Sequence, residues 1–225
     1  MKIALIGDYD AGVTAHRAIP LALEIAARRL AVDVEPAWIH SSEIELAALR
    51  GFDAIWCVPL SPYADGEAVI AAIEQARRDD QPFLGTCAGY QHAVLEFARH
   101  ELGLEAAESS EDNPAAAVPV IDALSCGLID VGAEVRIERA SRLGEVYGSD
   151  RAFETYHCNF GINPEYLPAF EGSSLRFSCR DDDGQPRAFE LDGHRFFIGT
   201  AYQPERRALE EKNHPVVAAF LTAAL

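Results

Sequence analysis

The chain has 225 residues, 49% of them hydrophobic, and its 36 acidic side chains outnumber its 19 basic ones to give a formal net charge of −17. This length and apolar content suit a single domain with a sizeable core, and no apolar run reaches the roughly 18 residues of a membrane-spanning helix. A surface this acidic repels nucleic-acid phosphates and anionic lipid heads, so we expect neither nucleic acid nor a membrane as a partner.

The first hundred residues alternate between strand and helix patterns. Short apolar runs predict strands at 2–7, 32–39, 53–59 and 82–87. Apolar residues at helical spacing predict helices at 14–30, 65–79 and 88–102, and a shorter one within 41–49. Strands separated by helices pair in parallel through right-handed crossovers, and ligands bind at the carboxyl ends of such strands.

The second half of the chain has a different pattern. Residues 103–130 show no clean period and contain a predicted loop, "SSEDNPAAAVP" (109–119), and short strands and turns are predicted from Val131, including "RLGEVYG" (142–148). Residues 174–191 predict a hairpin, and a closing helix is expected with Asn213 as its cap. We therefore predict one α/β domain over 1–225, with a mostly parallel sheet flanked by helices and additional antiparallel strands.

The five cysteines are odd in number and scattered along the chain, and none forms a C-x-x-C pair. This distribution indicates neither a disulfide framework nor a zinc site, so we expect no metal and no cofactor. The chain also starts without a signal-peptide pattern, and a reduced, cytoplasmic protein fits these observations best.

The segment "GTCAGYQ" (85–91) carries the strongest chemical signal. Cys87 lies between two glycines where a predicted strand meets a predicted helix, which is the layout of a nucleophile elbow. At such an elbow the turn exposes the sulphur, the helix end lowers the thiol pKa, and the N–H of Ala88 points toward an oxyanion. A buried structural cysteine at a tight turn is the alternative.

The stretch 82–111 resembles the glutaminase domain of CTP synthase, a class I glutamine amidotransferase. It shares the G-x-C-x-G-x-Q elbow, a helix ending in "EFAR" and a Ser-rich segment closed by a glutamate. The segments "KIALIGDY" (2–9), "FGINPEY" (160–166), "FFIGTAYQPE" (196–205) and the closing helix extend the resemblance over nearly the whole chain. The resemblance implies a flavodoxin-like fold and a Cys–His–Glu triad.

Several residues match the site of that family. Cys87 matches the nucleophile, and Glu205 matches the acid that orients the histidine. Gln91 and Glu111 match positions that help to hold the substrate glutamine. Beside these motifs, the residues expected near the substrate are Gly85, Ala88 and Tyr202, although Tyr202 is also explained as a packing residue.

Three other parts of that site are altered. Gln203 stands where the family has its histidine, and an amide cannot accept a thiol proton near neutral pH. Leu60 and Ser61 stand where the family has the glycines of its oxyanion loop. The arginine-rich stretch that binds the substrate carboxylate corresponds to "TYHCNF" (155–160), which contains no arginine. The resemblance therefore implies a degenerate triad, in a site either remade for another ligand or abandoned.

His157 is the candidate replacement for the missing base. Its segment matches family residues beside the substrate, so its ring would approach Cys87 from the side opposite Gln203. It would also bring Cys158 and Asn159 into the site. The alternative is a polar loop residue near the cleft.

Three functions remain open. The first is a hydrolase or transferase that uses Cys87 on a small amide-like metabolite and is not an ordinary glutaminase. The second is a glutamine hydrolase that serves a separate synthetase subunit, since the synthetase domain of CTP synthase is outside this sequence and the chain is not expected to make CTP by itself. The third is a non-catalytic pseudoenzyme that binds a metabolite or regulates a partner. All three imply a small-molecule ligand, and the partner is a synthetase subunit or a second copy of the chain.

Overall fold

The computed structural model describes residues 1–225 and contains ten strands and seven α-helices. The strands are β1 (Lys2–Ile6), β2 (Glu35–Ile39), β3 (Ala54–Cys57), β4 (Phe83–Thr86), β5 (Ala107–Ser109), β6 (Val118–Ile137), β7 (Arg151–Ile162), β8 (Leu175–Arg180), β9 (Pro186–Leu191) and β10 (Phe197–Thr200). The helices are α1 (Thr14–Leu30), α2 (Leu46–Leu49), α3 (Gly66–Arg78), α4 (Ala88–His100), α5 (Arg142–Tyr147), α6 (Leu167–Phe170) and α7 (Pro215–Ala223). Short 3-10 segments occupy Ser41–Glu43, Pro164–Tyr166 and Pro204–Glu210.

One sheet contains all ten strands in the order β2-β1-β3-β4-β10-β9-β8-β6-β5, and β7 pairs with β6. The strands β2, β1, β3, β4 and β10 are parallel neighbours, as their alternation with helices predicts. From β10 onward, β9, β8 and β6 pair antiparallel, and β7 pairs antiparallel with β6. The predicted α/β fold, with a mostly parallel sheet and additional antiparallel strands, is confirmed.

Helices cover the parallel half of the sheet on both faces. The crossover from β1 runs outward to β2, whereas the crossover from β3 runs the other way to β4. Right-handed crossovers therefore place α1 and α3 on opposite faces. Helix α1 packs against α7 and Pro204–Glu210, whereas α3 packs against α4. None of the helices has the length and apolar character that crossing a membrane requires.

The predicted loop at 109–119 corresponds to the irregular chain between β5 and β6, but three other predictions for the second half of the chain are wrong. The strands begin before Val131, because β6 starts at Val118, and its residues are mostly half-buried or exposed on both faces and so show no period. The segment "RLGEVYG" forms α5, because the Ser141 hydroxyl accepts from the Gly144 N–H at 2.9 Å and caps a helix. The cap of α7 is His214, not Asn213, since its Nδ1 accepts from the Val216 N–H at 3.2 Å.

The carboxyl ends of β1, β3, β4 and β10 meet at one edge of the sheet, because these strands are parallel neighbours. Cys87 follows β4 directly, and Gln203 follows β10. The loop 58–63 follows β3. The local order of strands and helices thus brings the altered motifs to a single edge, as expected for the ligand site of such a sheet.

Candidate active site at the Cys87 elbow

Cys87 lies at a sharp turn between β4 and α4, with φ 52° and ψ −104°. Its N–H donates to the Thr200 carbonyl at 2.8 Å, which ties the turn to β10. A Cβ on Gly85 would lie 2.7 Å from the carbonyl of Gly89, and a Cβ on Gly89 would lie 2.2 Å from the Cys57 carbonyl oxygen. Both glycines are therefore needed because backbone approaches backbone without room for a side chain.

A cavity of about 360 Å³ opens in front of Cys87. Its walls come from the start of α1, the loop after β3, the β6–β7 hairpin and the segment after β10. Six of the predicted site residues line it: Leu60, Ser61, Cys87, Glu111, His157 and Gln203. Five others are buried behind it: Gly85, Ala88, Gln91, Tyr202 and Glu205.

The Cys87 sulphur has three polar neighbours. It donates to the backbone carbonyl of His157 at 3.4 Å, and the Cys158 thiol is close enough to affect its ionisation. The Gln203 amide lies beside it and favours the thiolate. The neighbouring Cys158 thiol and burial outweigh that amide and raise the pKa of Cys87 well above its ordinary value. The expected lowering of this pKa by the helix end is therefore wrong, and Cys87 is a neutral thiol at physiological pH.

Cys158 is the side chain that β7 presents to the elbow. Successive side chains of a strand point to opposite faces, so Cys158 faces inward and His157 outward. The Gln91 amide donates to the Cys158 sulphur at 3.0 Å. The period-2 alternation along 151–162 could have identified this residue, because it places Cys158 and His157 on opposite faces of the strand.

The imidazole of His157 is directed away from Cys87. Its Nδ1 lies 3.1 Å from an Asp130 carboxylate oxygen, and its side chain is 51% exposed. Arg206 donates to the same Asp130 oxygen at 2.6 Å. The structure thus brings the backbone of His157 to the sulphur and leaves its ring at the mouth of the cavity.

Glu205 is completely buried behind Gln203, and neither of its carboxyl oxygens has a hydrogen-bond partner. Burial raises its pKa to about 8. The backbone N–H of Glu205 and the charge of Arg206 both lower this pKa, but they offset the effect of burial only in part. Gln203 has no ring for an acid to orient, so Glu205 has no partner there. Its raised pKa keeps the carboxyl protonated near neutral pH.

The loop after β3 keeps a glycine-like backbone although it has no glycine. Leu60 has φ 96°, a value that glycine adopts freely and leucine rarely does. His16 holds this loop, since its Nε2 lies 2.7 Å from the Pro59 carbonyl while its Nδ1 accepts from the Asp10 N–H at 2.9 Å. Those partners place the ring proton on Nε2. Sequence reasoning missed His16, which carried no signal beyond its place in the first turn of α1.

Opposite charges lie on different walls of the cavity. Burial raises the pKa of the Glu111 carboxyl, and the neighbouring Ser61 side chain opposes this shift only in part. Arg206 and residues 12–15, at the start of α1, form the other side. Helix α1 has no acidic residue in its first turn and no side-chain cap, so its N-terminal N–H groups remain free. The cavity therefore offers a carboxyl group on one wall and positive potential on another.

Two predicted substrate contacts serve the interior of the protein instead. The Gln91 amide donates to the Cys158 sulphur and to the Phe160 carbonyl, each at 3.0 Å. Tyr202 is buried and accepts a hydrogen bond from Tyr147 at 2.9 Å, so its role is packing. No group of three or more His, Cys, Asp or Glu side chains is placed to hold a metal ion.

Comparison with known proteins identifies the family of this chain. The family model described as glutamine amidotransferase class-I matches residues 16–223. The chain is 34% identical to the CTP synthase of Pyrococcus abyssi over 239 residues, and 34% identical to that of Methanopyrus kandleri over 241 residues. These matches cover 100% of this chain but only 44% and 45% of those proteins, so the chain spans less than half their length.

A solved structure shows the same fold. The glutaminase domain of Trypanosoma brucei CTPS, with bound acivicin, superposes with a TM-score of 0.91 and is 24% identical in sequence. The superposition covers 100% of this chain and 93% of that one. The family model and the curated relatives together establish that this chain belongs to the class I glutamine amidotransferase family, in which it resembles the glutaminase part of CTP synthases.

Proposed function

We propose that the Cys87 cavity binds a small polar metabolite and that the protein is not an ordinary glutaminase. The observation that carries this proposal is the environment of the Cys87 sulphur. An amide, a second thiol and a backbone carbonyl are its polar neighbours, and no histidine ring is among them to take the thiol proton at neutral pH.

The charges of the cavity indicate the ligand class. Glu111 on one wall suits an amine or amide N–H donor, whereas Arg206 and the N-terminus of α1 on the other suit a carboxylate or similar anion. Arg206 also pairs with Asp130, so a ligand anion competes with that carboxylate. A small zwitterionic or amide-bearing compound fits this distribution.

Ammonia release from glutamine tests the proposal directly. We expect the wild-type protein and the Gln203→His variant to release ammonia at background rates, because the variant restores only one altered part of the site. Thermal stabilisation by small amides and amino acids should nevertheless report binding without turnover. Wild-type turnover comparable to that of ordinary amidotransferases would refute the proposal. It would instead support glutamine hydrolysis for a separate synthetase subunit in the cytoplasm, the partner that the CTP synthase relatives suggest.

A second candidate function keeps Cys87 as a nucleophile toward an amide-like or ester-like carbon. The elbow favours it, since Cys87 retains a positive φ at the start of α4. The N–H of Ala88 has no partner within the helix at that position. For this candidate, iodoacetamide should label Cys87 faster than a free thiol at neutral pH, and Cys87→Ser should lose the label. Labelling no faster than that of the free thiol would leave binding as the function.

A further inference from the structure

The cavity wall contains two neighbouring cysteines. Cys87 and Cys158 both line the cavity, and each thiol affects the ionisation of the other. The other three cysteines do not line it: Cys57 and Cys179 are buried, and Cys126 is exposed. Neither the elbow nor the altered triad accounts for a second thiol at this point.

Each sulphur is held in place by its own element. Cys87 is fixed by the elbow, and its sulphur also donates to the His157 carbonyl, one residue before Cys158. The Cys158 sulphur accepts from the Gln91 amide and lies 3.0 Å from the Phe160 carbonyl. The amide of Gln91 is thus directed at sulphur and stabilises negative charge there.

The backbone near Cys158 is paired irregularly. The register between β6 and β7 shifts between Ala123 and Leu128, and Leu128 is the residue opposite Cys158. A disulfide needs the two sulphurs at about 2.05 Å, closer than a hydrogen bond, so one element has to shift. The irregular hairpin is better able to shift than the elbow, which is packed backbone to backbone at its glycines.

We propose that Cys87 and Cys158 form a redox-active dithiol that hydrogen peroxide closes to a disulfide. The Cys158 thiolate attacks one peroxide oxygen, the O–O bond breaks, and Cys158 becomes a sulfenic acid while hydroxide leaves and takes up a proton. The Cys87 sulphur then attacks the Cys158 sulphur, the S–O bond breaks, and water departs with the Cys87 proton. In total, two thiols and one peroxide give one disulfide and two waters, and an external dithiol reverses the step.

The closed form has a consequence for the cavity. The bond ties the elbow to the β6–β7 hairpin and removes both thiols from the wall that faces a ligand. The geometry agrees with this order of attack, because the Gln91 amide donates to the Cys158 sulphur at 3.0 Å and favours its thiolate. In a reducing compartment such a bond is transient, which suits a reversible switch.

Peptide mapping of the wild-type protein tests the proposal without relying on any variant. Trypsin places Cys87 alone in the peptide 79–99 and Cys158 alone in 152–176. After treatment of the folded protein with hydrogen peroxide and blocking of free thiols, we expect these two peptides to be joined in most molecules and to separate on reduction. Peptides that stay separate while Cys126 is oxidised would overturn the proposal.

Two variants and one control sharpen the assignment. Cys158→Ala and Cys87→Ala should each abolish the linked peptide, because each removes one of the two sulphurs. Cys126→Ala removes the exposed thiol and should leave the linked peptide unchanged. A link that persists in Cys158→Ala, or that depends on Cys126, would contradict the pairing. The result is independent of the ammonia assay, so either proposal can fail alone.

Discussion

Replacing Glu205 with glutamine removes a buried acid whose ionisation opposes folding. The ordinary pKa of this carboxyl is 4.5, and burial without a hydrogen-bond partner raises it to about 8 in the folded protein. Between these two values the folded state binds more protons than the unfolded state. The stabilisation from this group is therefore complete below pH 4.5 and is lost as the pH rises through about 8. The gap corresponds to about 5 kcal/mol of unfolding free energy.

Urea denaturation at about pH 5 and about pH 9 measures the effect. Between these two conditions we expect wild-type protein to lose about 4 kcal/mol more than Glu205→Gln, because only the wild type must ionise the buried group or unfold, and about 1 kcal/mol of the effect is already present at pH 5. Comparing the two pH values cancels the cost of burying an amide, which is the same at both. Glu171→Gln, at an exposed position, should follow the wild type. If Glu205→Gln shows the wild-type pH dependence, Glu205 is not an unpartnered buried acid and the reasoning is refuted.

Two further substitutions probe the packing that holds the site. Gly89→Ala should lower the free energy of unfolding by about 3 kcal/mol in urea denaturation, since its Cβ would lie 2.2 Å from the Cys57 carbonyl oxygen; a loss below about 1 kcal/mol would show that the elbow relaxes. Glu96→Gln should also cost about 3 kcal/mol, because its buried carboxylate accepts three hydrogen bonds from Arg77. Glu101→Gln, which changes a more exposed partner of the same arginine, should cost under about 1 kcal/mol, and equal losses would contradict the role of burial.

Local patterns were sufficient to predict the fold class and the position of the site. The alternation of strands and helices implied parallel pairing, and parallel pairing alone brings Cys87 and Gln203 to one edge of the sheet. The same patterns missed β5 and the first part of β6, before Val131. There β6 is stabilised by pairing with β7 and buries few side chains, so its sequence carries no period for a local reading to detect.

The contacts of the Cys87 sulphur could not be predicted from the sequence alone. Resemblance led to His157 as the residue beside it, yet the ring of His157 is at the mouth of the cavity and its carbonyl is at the sulphur. Which of two adjacent residues faces inward depends on the register of β7, and a shift of one residue reverses every side chain of a strand.

The sequence by itself determined the elbow, the absence of a histidine at 203 and the side of the sheet where ligands bind. These follow from residue identity and from the local order of elements. Only the tertiary structure decided that Cys158 lies beside Cys87 on one cavity wall, that Glu205 has no partner, and that Leu60 keeps a glycine-like backbone. Each of these depends on atoms that meet across elements distant in sequence, where packing and burial, and not local preference, determine the outcome.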